Sequence, residues 1–336
     1  MYSNSRHDLN ASADSREADE GAVQSMYEQA PYPDLGAGLK DISYYWDKTP
    51  QIASRNDVRF LDAGCGTGHL LVGTAIRFPK WKCFGIDLSS ASLVVAKQLA
   101  TMHSVTNVHF HQGSYLDPLP FDEQFDVIAA LGTIHHAADS IAALRNLASW
   151  LKDDGSIFLH LYGQRIDQGR FDIKEMLSIL EPNLFEHQNR FRFYDALMSH
   201  IDRRRPFWKR LLLTSPYEWF HRAKIGLRNL KRRVSGISWS PGWTERYSEP
   251  SSPWIDHFCH PCERAYEAYD VQELLDRAGL EVASMIGHGR DHFRLVPPEW
   301  RPVYERLGFW ERTRINELLS GGGGSYNMIL RRKTVQ

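Results

Sequence analysis

Two polar positions in the first third of the chain could together bind a small anionic or hydroxylated ligand. Gly64, Gly66 and Gly68 alternate directly after the apolar run Arg59–Ala63, and Asp87 ends the next apolar run. Glycines permit a tight turn and let a ligand approach the main chain, and the N–H groups of the following helix attract carboxylate or phosphate. An acid ending the second strand can accept hydrogen bonds from a ribose diol. The spacing predicts a nucleoside site.

A histidine pair is the best placed titratable group. His135 and His136 follow the apolar run Phe125–Leu131, and histidine ordinarily titrates near working pH. Ligands of parallel sheets bind outside the carboxyl ends of the strands, so we expect this pair near the reacting atoms. Either ring could act as a catalytic base, or it could pack under the loop and hydrogen-bond the backbone.

A second cluster spans 256–262 and includes Asp256, Cys259, His260 and Cys262. The Cys-x-x-Cys spacing suits zinc, but a structural site usually needs a second pair, and the chain has only four cysteines. We therefore predict no metal. His260 is a candidate catalytic or substrate-contacting residue, with a loop histidine bonded to its neighbours as the alternative. A third cluster follows at His288, Asp291 and His292.

The elements that must position these residues follow from the hydrophobic periodicity. Apolar runs of strand length alternate with helix-period segments, and short loops join them, which favours a parallel sheet covered on both faces. We expect strands at 59–63, 83–86, 108–111, 125–131, 156–161, 281–286 and 326–332, and helices at 89–103, 140–151 and 269–279.

The glycine turn, read as apolar-Asp62-x-Gly-x-Gly-x-Gly, resembles motif I of the class I S-adenosylmethionine-dependent methyltransferases, and the resemblance continues through roughly 58–161. A dinucleotide site is the competing interpretation, but its third glycine would fall at His69. The resemblance implies an α/β fold with a doubly wound, mostly parallel, seven-stranded Rossmann-like sheet and a helical insertion after strand 5.

The resemblance also implies S-adenosyl-L-methionine as the cofactor. In this family the glycine turn faces the methionine part, and the acid at the second strand end, here Asp87, holds the ribose. Ser114 stands where the family usually has an acid that contacts the adenine amino group, and Tyr115 could share that contact. The predicted cofactor-binding residues are Tyr27, Tyr32, Asp62, Gly64, Gly66, Gly68, Asp87, Leu88, Ser114, Tyr115 and Leu131.

Tyr27 and Tyr32 enter this set through a segment before the glycine turn. It resembles the Tyr-x-x-x-Pro-Tyr-Pro segment of one branch of the family and is expected to be a short helix ended by prolines. In that branch it folds over the cofactor, which would make both tyrosines lining residues. A plain packing segment is the alternative.

Three regions are expected along the chain. Residues 1–20 are polar and predicted to be a disordered tail, and 21–163 with 264–336 form the catalytic domain. Residues 164–263 are an inserted, mostly helical lid that sets the acceptor, with helices at 172–180 and 193–201 and a loop at 239–256. Nearly forty residues separate the last two strands, where the family has a short hairpin. Within them Gly321–Ser325 resembles a flexible linker, either native or engineered.

Composition limits the partners. The 336 residues carry a net charge of −1, which gives no global argument for nucleic acid. The segment 203–233 is basic and aromatic, and we weigh three roles for it: a solvated helix face, contact with an anionic substrate or membrane surface, and, last, RNA. No signal peptide or membrane-spanning run is evident, so we expect a soluble, cytoplasmic protein.

The predicted function is in-line transfer of a methyl group to a small-molecule acceptor, with His135, His136 and His260 as the candidate catalytic residues. One alternative is a methyltransferase that acts on RNA or protein through the basic lid. Another is a non-catalytic subunit that binds the cofactor. The sequence leaves the acceptor, the methylated atom and the oligomeric state open.

Overall fold

A computed structural model describes residues 13–118, 120–121, 124–183, 186–204, 249–286, 296–319 and 325–333. The strands are β1 Arg59–Ala63, β2 Lys82–Asp87, β3 Val108–Gln112, β4 Phe125–Leu131, β5 Leu151–Leu161, β6 Leu280–Ile286 and β7 Tyr326–Arg332. The helices are α1 Ala13–Gln29, α2 Ser43–Trp46, α3 Pro50–Ala53, α4 His69–Arg77, α5 Ser90–Met102, α6 Ser140–Trp150, α7 Gln164–Leu180, α8 His187–Arg204, α9 Ser252–Cys259, α10 Ala268–Ala278, α11 Arg301–Arg306 and α12 Phe309–Leu319, with 3-10 turns at Ile134–His136 and Pro298–Trp300.

The seven strands form one sheet in the order β3-β2-β1-β4-β5-β7-β6. Strands β1 to β5 are parallel, and β7 lies antiparallel between β5 and β6. This is the predicted fold class. The strand order reverses between β1 and β4, and in such sheets the crevice outside the carboxyl ends at the reversal is where ligands bind.

The core lies on both faces of the sheet because successive strand residues point to opposite sides. In β5, Phe158 packs with Trp46 and Trp81 on one face, whereas Leu159 packs with the α6 and α10 residues on the other. All of these side chains are buried. Each large apolar side chain buried in this way contributes about 1.5–3 kcal/mol, so the two layers hold the strand ends in fixed positions.

Helix termini are capped close to where the sequence predicts them. The Ser89 hydroxyl accepts the Ser92 N–H at the start of α5, and the Asp139 carboxylate accepts two N–H groups at the start of α6. Gly279 ends α10 in the left-handed conformation with φ of 71°, which glycine adopts without steric cost. The two N-terminal caps follow β2 and β4 and so lie on the crevice side of the sheet, whereas Gly279 precedes β6 at the opposite edge.

Two boundaries differ from the prediction. Strand β5 begins at Leu151 rather than Ser156, because Leu151 pairs with Phe125 across an irregularity in β4. Residues 252–256, predicted as loop, belong to α9. There Pro253 occupies the first turn, where its missing N–H costs nothing, and Trp254 and Phe258 are fully buried.

Helix α1 is longer than expected. The predicted tail ends at residue 20, but the helix starts at Ala13, while residues 1–12 lie outside the described residues. It packs on α5, where the Glu28 carboxylate accepts the N–H groups of Ser90 and Ala91 at 2.6 and 3.1 Å. A carboxylate at a helix N-terminus is favoured by unsatisfied N–H groups and by the helix dipole. This contact fastens α1 to the sheet domain.

The chain divides into two compact units. One comprises residues 1–167 with 251–336 and contains the whole sheet, and the other comprises residues 168–250. In the second unit Ile173 and Leu177 of α7 and Tyr194 and Met198 of α8 are buried. The predicted functional division at 164 and 263 stays a prediction.

None of the helices in the described part of the chain is long and apolar enough to cross a membrane. The basic segment 203–233, apart from its first two residues in α8, and the cluster at His288, Asp291 and His292 lie outside the described residues. The same holds for 321–324 of the glycine tract. The roles weighed for these segments stay predictions.

Asp126 provides a test of the electrostatics under the sheet. Its buried carboxylate accepts the Arg59 N–H at 2.8 Å and pairs with Lys152 at 2.8 Å and Arg55 at 2.9 Å. Removing one partner of a buried ion pair costs about 3–5 kcal/mol. We expect Asp126→Ala to lower the free energy of unfolding by about 3 kcal/mol in urea denaturation.

The matched control is Asp57→Ala. Asp57 also pairs with Arg55, at 3.2 Å, but its side chain is 79% exposed, so its loss should cost no more than about 1 kcal/mol. Equal effects of the two substitutions would contradict the assignment of Asp126 as a buried anchor.

Candidate functional site

The glycine turn after β1 is held by main-chain hydrogen bonds from two directions. The N–H groups of Gly64 and Cys65 both donate to the Ile86 carbonyl, at 2.8 and 3.0 Å, and the Thr67 N–H donates to the Tyr32 carbonyl at 3.3 Å. The Thr67 hydroxyl donates to the Pro33 carbonyl at 2.7 Å. The segment before β1 therefore packs on the turn, and its expected place over the cofactor stays a prediction.

Glycine is required in this turn for space as well as for conformation. Gly64, Gly66 and Gly68 have φ values of 76°, 51° and 80°, in the left-handed region that other residues rarely adopt. A Cβ on Gly66 would lie 2.6 Å from the Tyr32 carbonyl oxygen, and one on Gly68 would lie 2.9 Å from the Ala96 Cβ. Gly68 thus faces α5, and Gly64 and Gly66 face the crevice.

Asp87 ends β2 beside this turn. Its Oδ2 accepts the Gly66 N–H at 2.7 Å, and its Oδ1 accepts the Ser89 N–H at 2.9 Å. Burial raises the pKa of this carboxyl above its ordinary value, while the two N–H donors act in the opposite direction. Each carboxylate oxygen has a further lone pair, so Asp87 can hold the turn and still accept a ligand hydroxyl.

A cavity of about 420 Å³ opens between the turn and the strand ends. Small-molecule sites usually measure about 300–1,000 Å³. Aromatic side chains from several elements form much of its wall: Tyr27, Tyr32, Tyr44, Tyr115 and Tyr162. The remaining lining residues named below are Lys40, Asp41, Gly64, Gly66, Asp87, Leu88, Leu131, Thr133, His136, His160, Asp256 and Asn327.

Helix α1 forms one wall and spans the cavity. The Tyr27 hydroxyl donates to Asp256 Oδ1 at 2.7 Å. Burial, and then the Asp256 carboxylate, raise the pKa of Tyr27 well above its usual range, with a smaller contribution from Asp87. The phenol therefore stays protonated, and it lies between the carboxylates of the two ends of the cavity.

At the end opposite Asp87, two histidine rings stack beside Asp256. The His136 and His260 rings lie 3.7 Å apart at 21°, and all three residues are buried. His136 Nδ1 is 3.0 Å from the Cys262 carbonyl, which can only accept, so Nδ1 carries the proton. The Cys262 N–H donates to His260 Nδ1 at 3.2 Å. The neutral rings are therefore opposite tautomers, with the lone pair on Nε2 of His136 and a proton on Nε2 of His260.

The predicted site residues separate into two groups. Those that line the cavity are Tyr27, Tyr32, Gly64, Gly66, Asp87, Leu88, Tyr115, Leu131 and His136. Those that lie outside its lining are Asp62, Gly68, Ser114, His135 and His260. Three of these support the lining from behind: His260 stacks on His136, His135 lies 3.8 Å from the Tyr162 ring, and the Ser114 hydroxyl donates to Glu20 of α1 at 2.5 Å.

Asp62 lies beneath the turn with 3% of its surface exposed. Burial is the largest cause that raises its pKa to about 8; the Asp87 charge adds to this effect, and Lys40 opposes it. A carboxyl that is neutral at neutral pH can donate a hydrogen bond. Its predicted part in orienting the turn stays a prediction.

Sequence reasoning missed several lining residues, among them Lys40, Thr133, His160, Tyr162 and Asn327. His160 and Tyr162 lie at the carboxyl end of β5, and parallel sheets bind ligands outside the carboxyl ends of their strands. Burial, as the largest cause, lowers the pKa of His160 below its ordinary value, so its ring is neutral at pH 7. Asp256 begins the cluster at 256–262 that the sequence marks, but no local pattern gives it a role in the site.

The chain resembles known methyltransferases in sequence. Residues 54–195 match the family described as "Methyltransferase domain". Over 108 residues the chain is 38% identical to the uncharacterized methyltransferase YcgJ of Bacillus subtilis, covering 31% of this chain and 41% of that protein. An uncharacterized protein of Synechococcus is 26% identical over 317 residues, 89% of this chain and 68% of that protein. Residues 54–195 therefore form a methyltransferase domain.

A solved structure of PKMT2 from Rickettsia typhi in complex with AdoHcy shares the fold of this methyltransferase. It superposes with a TM-score of 0.58 at 15% identity over 94% of this chain. The chain spans about half, 53%, of that protein. The match of 54–195 supports the predicted methyltransferase family, enzyme class and cofactor, whereas this structural likeness shows the fold alone. The acceptor belongs to the proposals below.

Gly66→Ala tests the turn of the methyltransferase. A Cβ would meet the Tyr32 carbonyl and would strain a φ of 51°, so the turn must shift. We expect S-adenosylhomocysteine to bind at least tenfold more weakly in isothermal titration calorimetry. Gly279→Ala is the control, because it has a φ of 71° but open space around the added Cβ. It should cost about 1 kcal/mol of stability and leave the affinity unchanged; equal loss of affinity in both variants would refute the claim.

The raised pKa of Asp62 predicts how the stability of the protein depends on pH. Asp62 has a folded pKa of about 8, which lies above the ordinary pKa of 3.8, so the folded state binds more protons between these values. Its contribution to stability is therefore complete below about pH 4 and is lost as the pH rises towards 8. We expect the unfolding free energy of the wild type to fall between pH 5 and 8 more steeply than that of Asp62→Asn. Parallel pH profiles in urea denaturation would show that Asp62 is ionised in the fold.

Proposed function

We propose that the chain transfers a methyl group from S-adenosylmethionine to a small-molecule acceptor within the 420 Å³ cavity. One observation carries the proposal. A single enclosure joins a nucleoside end, with Asp87 and the glycine turn, to an end with titratable side chains, His136 and Asp256. Because both ends share this limited volume, the acceptor is a small molecule or the narrow end of a chain.

The residues present fit the cofactor. The Asp87 carboxylate provides the acceptor that ribose hydroxyls need, and the backbone of Gly64 and Gly66 forms part of the wall beside it. Leu88, Leu131 and Tyr115 provide apolar and aromatic surface for a purine. Tyrosine faces also attract cations, which suits a positively charged sulfur.

When bound, S-adenosylmethionine supplies a methyl group that its positive sulfur has already activated. The protein then has to hold the acceptor in line with that group and exclude water, and such positioning can lower a barrier by about 7–11 kcal/mol. Helix α1 does part of this, since Tyr27 closes one wall over the cavity. His136 Nε2 can take a proton from the acceptor, a contribution worth about 10²–10⁴ in rate.

Asp87→Asn tests the proposal at its cofactor end. A hydrogen bond to a charged group contributes about 1.5–3 kcal/mol, so we expect affinity for S-adenosylhomocysteine to fall at least tenfold in calorimetry. Asp117→Asn is the control, since its carboxylate is exposed and lies outside the cavity lining. Circular dichroism must show both variants folded, because Asp87 also holds Gly66. Undiminished affinity in a folded Asp87→Asn protein would overturn the assignment of this end.

A further inference from the structure

The cavity has an uneven distribution of charge. Lys40 and Asp41 lie at its rim and are exposed, so solvent screens both of them in part, although the Lys40 charge still opposes the rise that burial causes in the pKa of Asp62 and adds to the fall that burial causes in the pKa of His160. The charges deeper in the walls are the carboxylates of Asp87, half-buried, and Asp256, of which 5% is exposed. The described interior of the cavity is therefore negative at both ends.

The cofactor offsets only one of these charges. S-adenosylmethionine carries a sulfonium, an ammonium and a carboxylate, and hence one net positive charge. Among the described residues no lysine or arginine pairs with Asp256, whose oxygen accepts the neutral Tyr27 hydroxyl. Burying an unpaired carboxylate is costly. A positively charged acceptor group would supply the missing partner.

A proton acceptor lies beside that carboxylate. Ligand atoms of His136, Asp256 and His260 all lie within 4.8 Å of one another. The Cys262 carbonyl fixes the proton of His136 on Nδ1, which leaves its Nε2 basic. The other titratable groups around this centre are Tyr27, His135, His160, Tyr162, His260 and Cys262.

The same three residues could be read as metal ligands, but two features of the described geometry oppose it. The rings of His136 and His260 stack at 3.7 Å and 21°, so their in-plane lone pairs run side by side and do not converge on one ion. His260 Nδ1 accepts an N–H group, so its Nε2 carries a proton and offers no lone pair. The cluster suits proton transfer better than coordination.

We propose that the acceptor is a primary amine that enters as its ammonium form, with Asp256 as its counter-ion and His136 as its base. This rests on the proposed function. An N–H bond of the ammonium breaks, the proton bonds to His136 Nε2, and the electron pair stays on the amine nitrogen. That pair forms the new bond to the methyl carbon as the carbon–sulfur bond breaks, sulfur keeps the bonding electrons, and His136 releases the proton to solvent.

The first experiment measures binding without turnover. The full chain, saturated with S-adenosylhomocysteine and kept in EDTA, is titrated with n-butylamine, n-butanol and butyrate by calorimetry. We expect butylamine to bind at least tenfold more tightly than the other two. Asp256→Asn should remove this preference, whereas Asp117→Asn, which is exposed and outside the cavity lining, should change it less than threefold. No preference for the amine, or an equal preference in Asp256→Asn, would overturn the proposal.

The second experiment separates the source of the amine and the role of the base. A blocked lysine tripeptide is titrated in the same way as butylamine. If the binding of both depends on Asp256, the ammonium group is what the site recognises. The probe that binds more tightly then identifies the acceptor as a free amine or a lysine side chain. His136→Asn should keep the binding preference and slow single-turnover methylation at least 100-fold, with loss of its rise with pH. An unchanged rate would remove His136 as the base.

Two further outcomes keep the proposals distinguishable. Binding of Zn²⁺ by the EDTA-free wild type that Asp256→Asn abolishes would show a metal site and overturn the amine inference. Failure of S-adenosylhomocysteine to bind would defeat the proposed function itself. Bound nucleoside with no amine preference would defeat only the inference. If Asp256→Asn does not fold, Tyr27→Phe, which removes the hydroxyl donor to Asp256, should leave the preference in place, and its loss would count against the inference.

Discussion

The hydrogen bond from the Gly66 N–H to the Asp87 carboxylate is the contact on which the site depends. It joins the turn after β1 to the end of β2 at 2.7 Å, and the turn can reach Asp87 only because its glycines adopt left-handed φ values. The second oxygen of Asp87 holds the Ser89 N–H, and Ser89 caps α5. One carboxylate thus sets two strand ends and a helix start, and the same group is offered to a ligand.

Three buried carboxylates in this domain differ in what offsets the free energy of removing them from water. Asp126 has two cationic partners and a backbone donor, so it is stabilised as an anion. Asp62 is desolvated, with the Lys40 charge opposing the shift only in part, and its pKa rises to about 8, so it avoids the cost by staying neutral. Asp256 accepts a hydrogen bond from the neutral Tyr27 hydroxyl. Of the three, only Asp256 lines the cavity, which is where an incoming ligand can complete the pairing.

The sequence predicts most of the sheet and the cofactor end of the site because that information is local. Gly64, Gly66 and Asp87 lie within two consecutive β-α units, and short-range rules on turns and strand ends place them. The acceptor end is different. Asp256 reaches the cavity on α9, about 120 residues after His136, and its segment begins with prolines and serines that favour a loop prediction. The burial of Trp254 and Phe258 makes it helical, and tertiary packing of that kind leaves no local pattern.

Helix α1 illustrates the same limit. Residues 13–20 are rich in polar groups, and their pattern predicts a disordered tail, yet the helix spans 13–29. Its docking comes from partners far along the chain: Ser90 and Ala91 for Glu28, the Leu88 carbonyl for Gln24, and Asp256 for Tyr27. Such contacts exist only after the sheet has formed, so no reading of the segment alone could reveal them.

The tautomers of the stacked histidines depend on one residue, and this has a consequence for proton transfer. The Cys262 carbonyl fixes His136, and the Cys262 N–H fixes His260. Both groups belong to Cys262, so the position of this one residue sets both assignments. Protonation of His136 at Nε2 places a cation against a neutral stacked ring and near the Asp256 carboxylate, which stabilises the imidazolium. His260 cannot take that proton at Nδ1 without losing its backbone donor. The geometry therefore makes His136 the basic member of the pair and gives His260 the part of a neutral support.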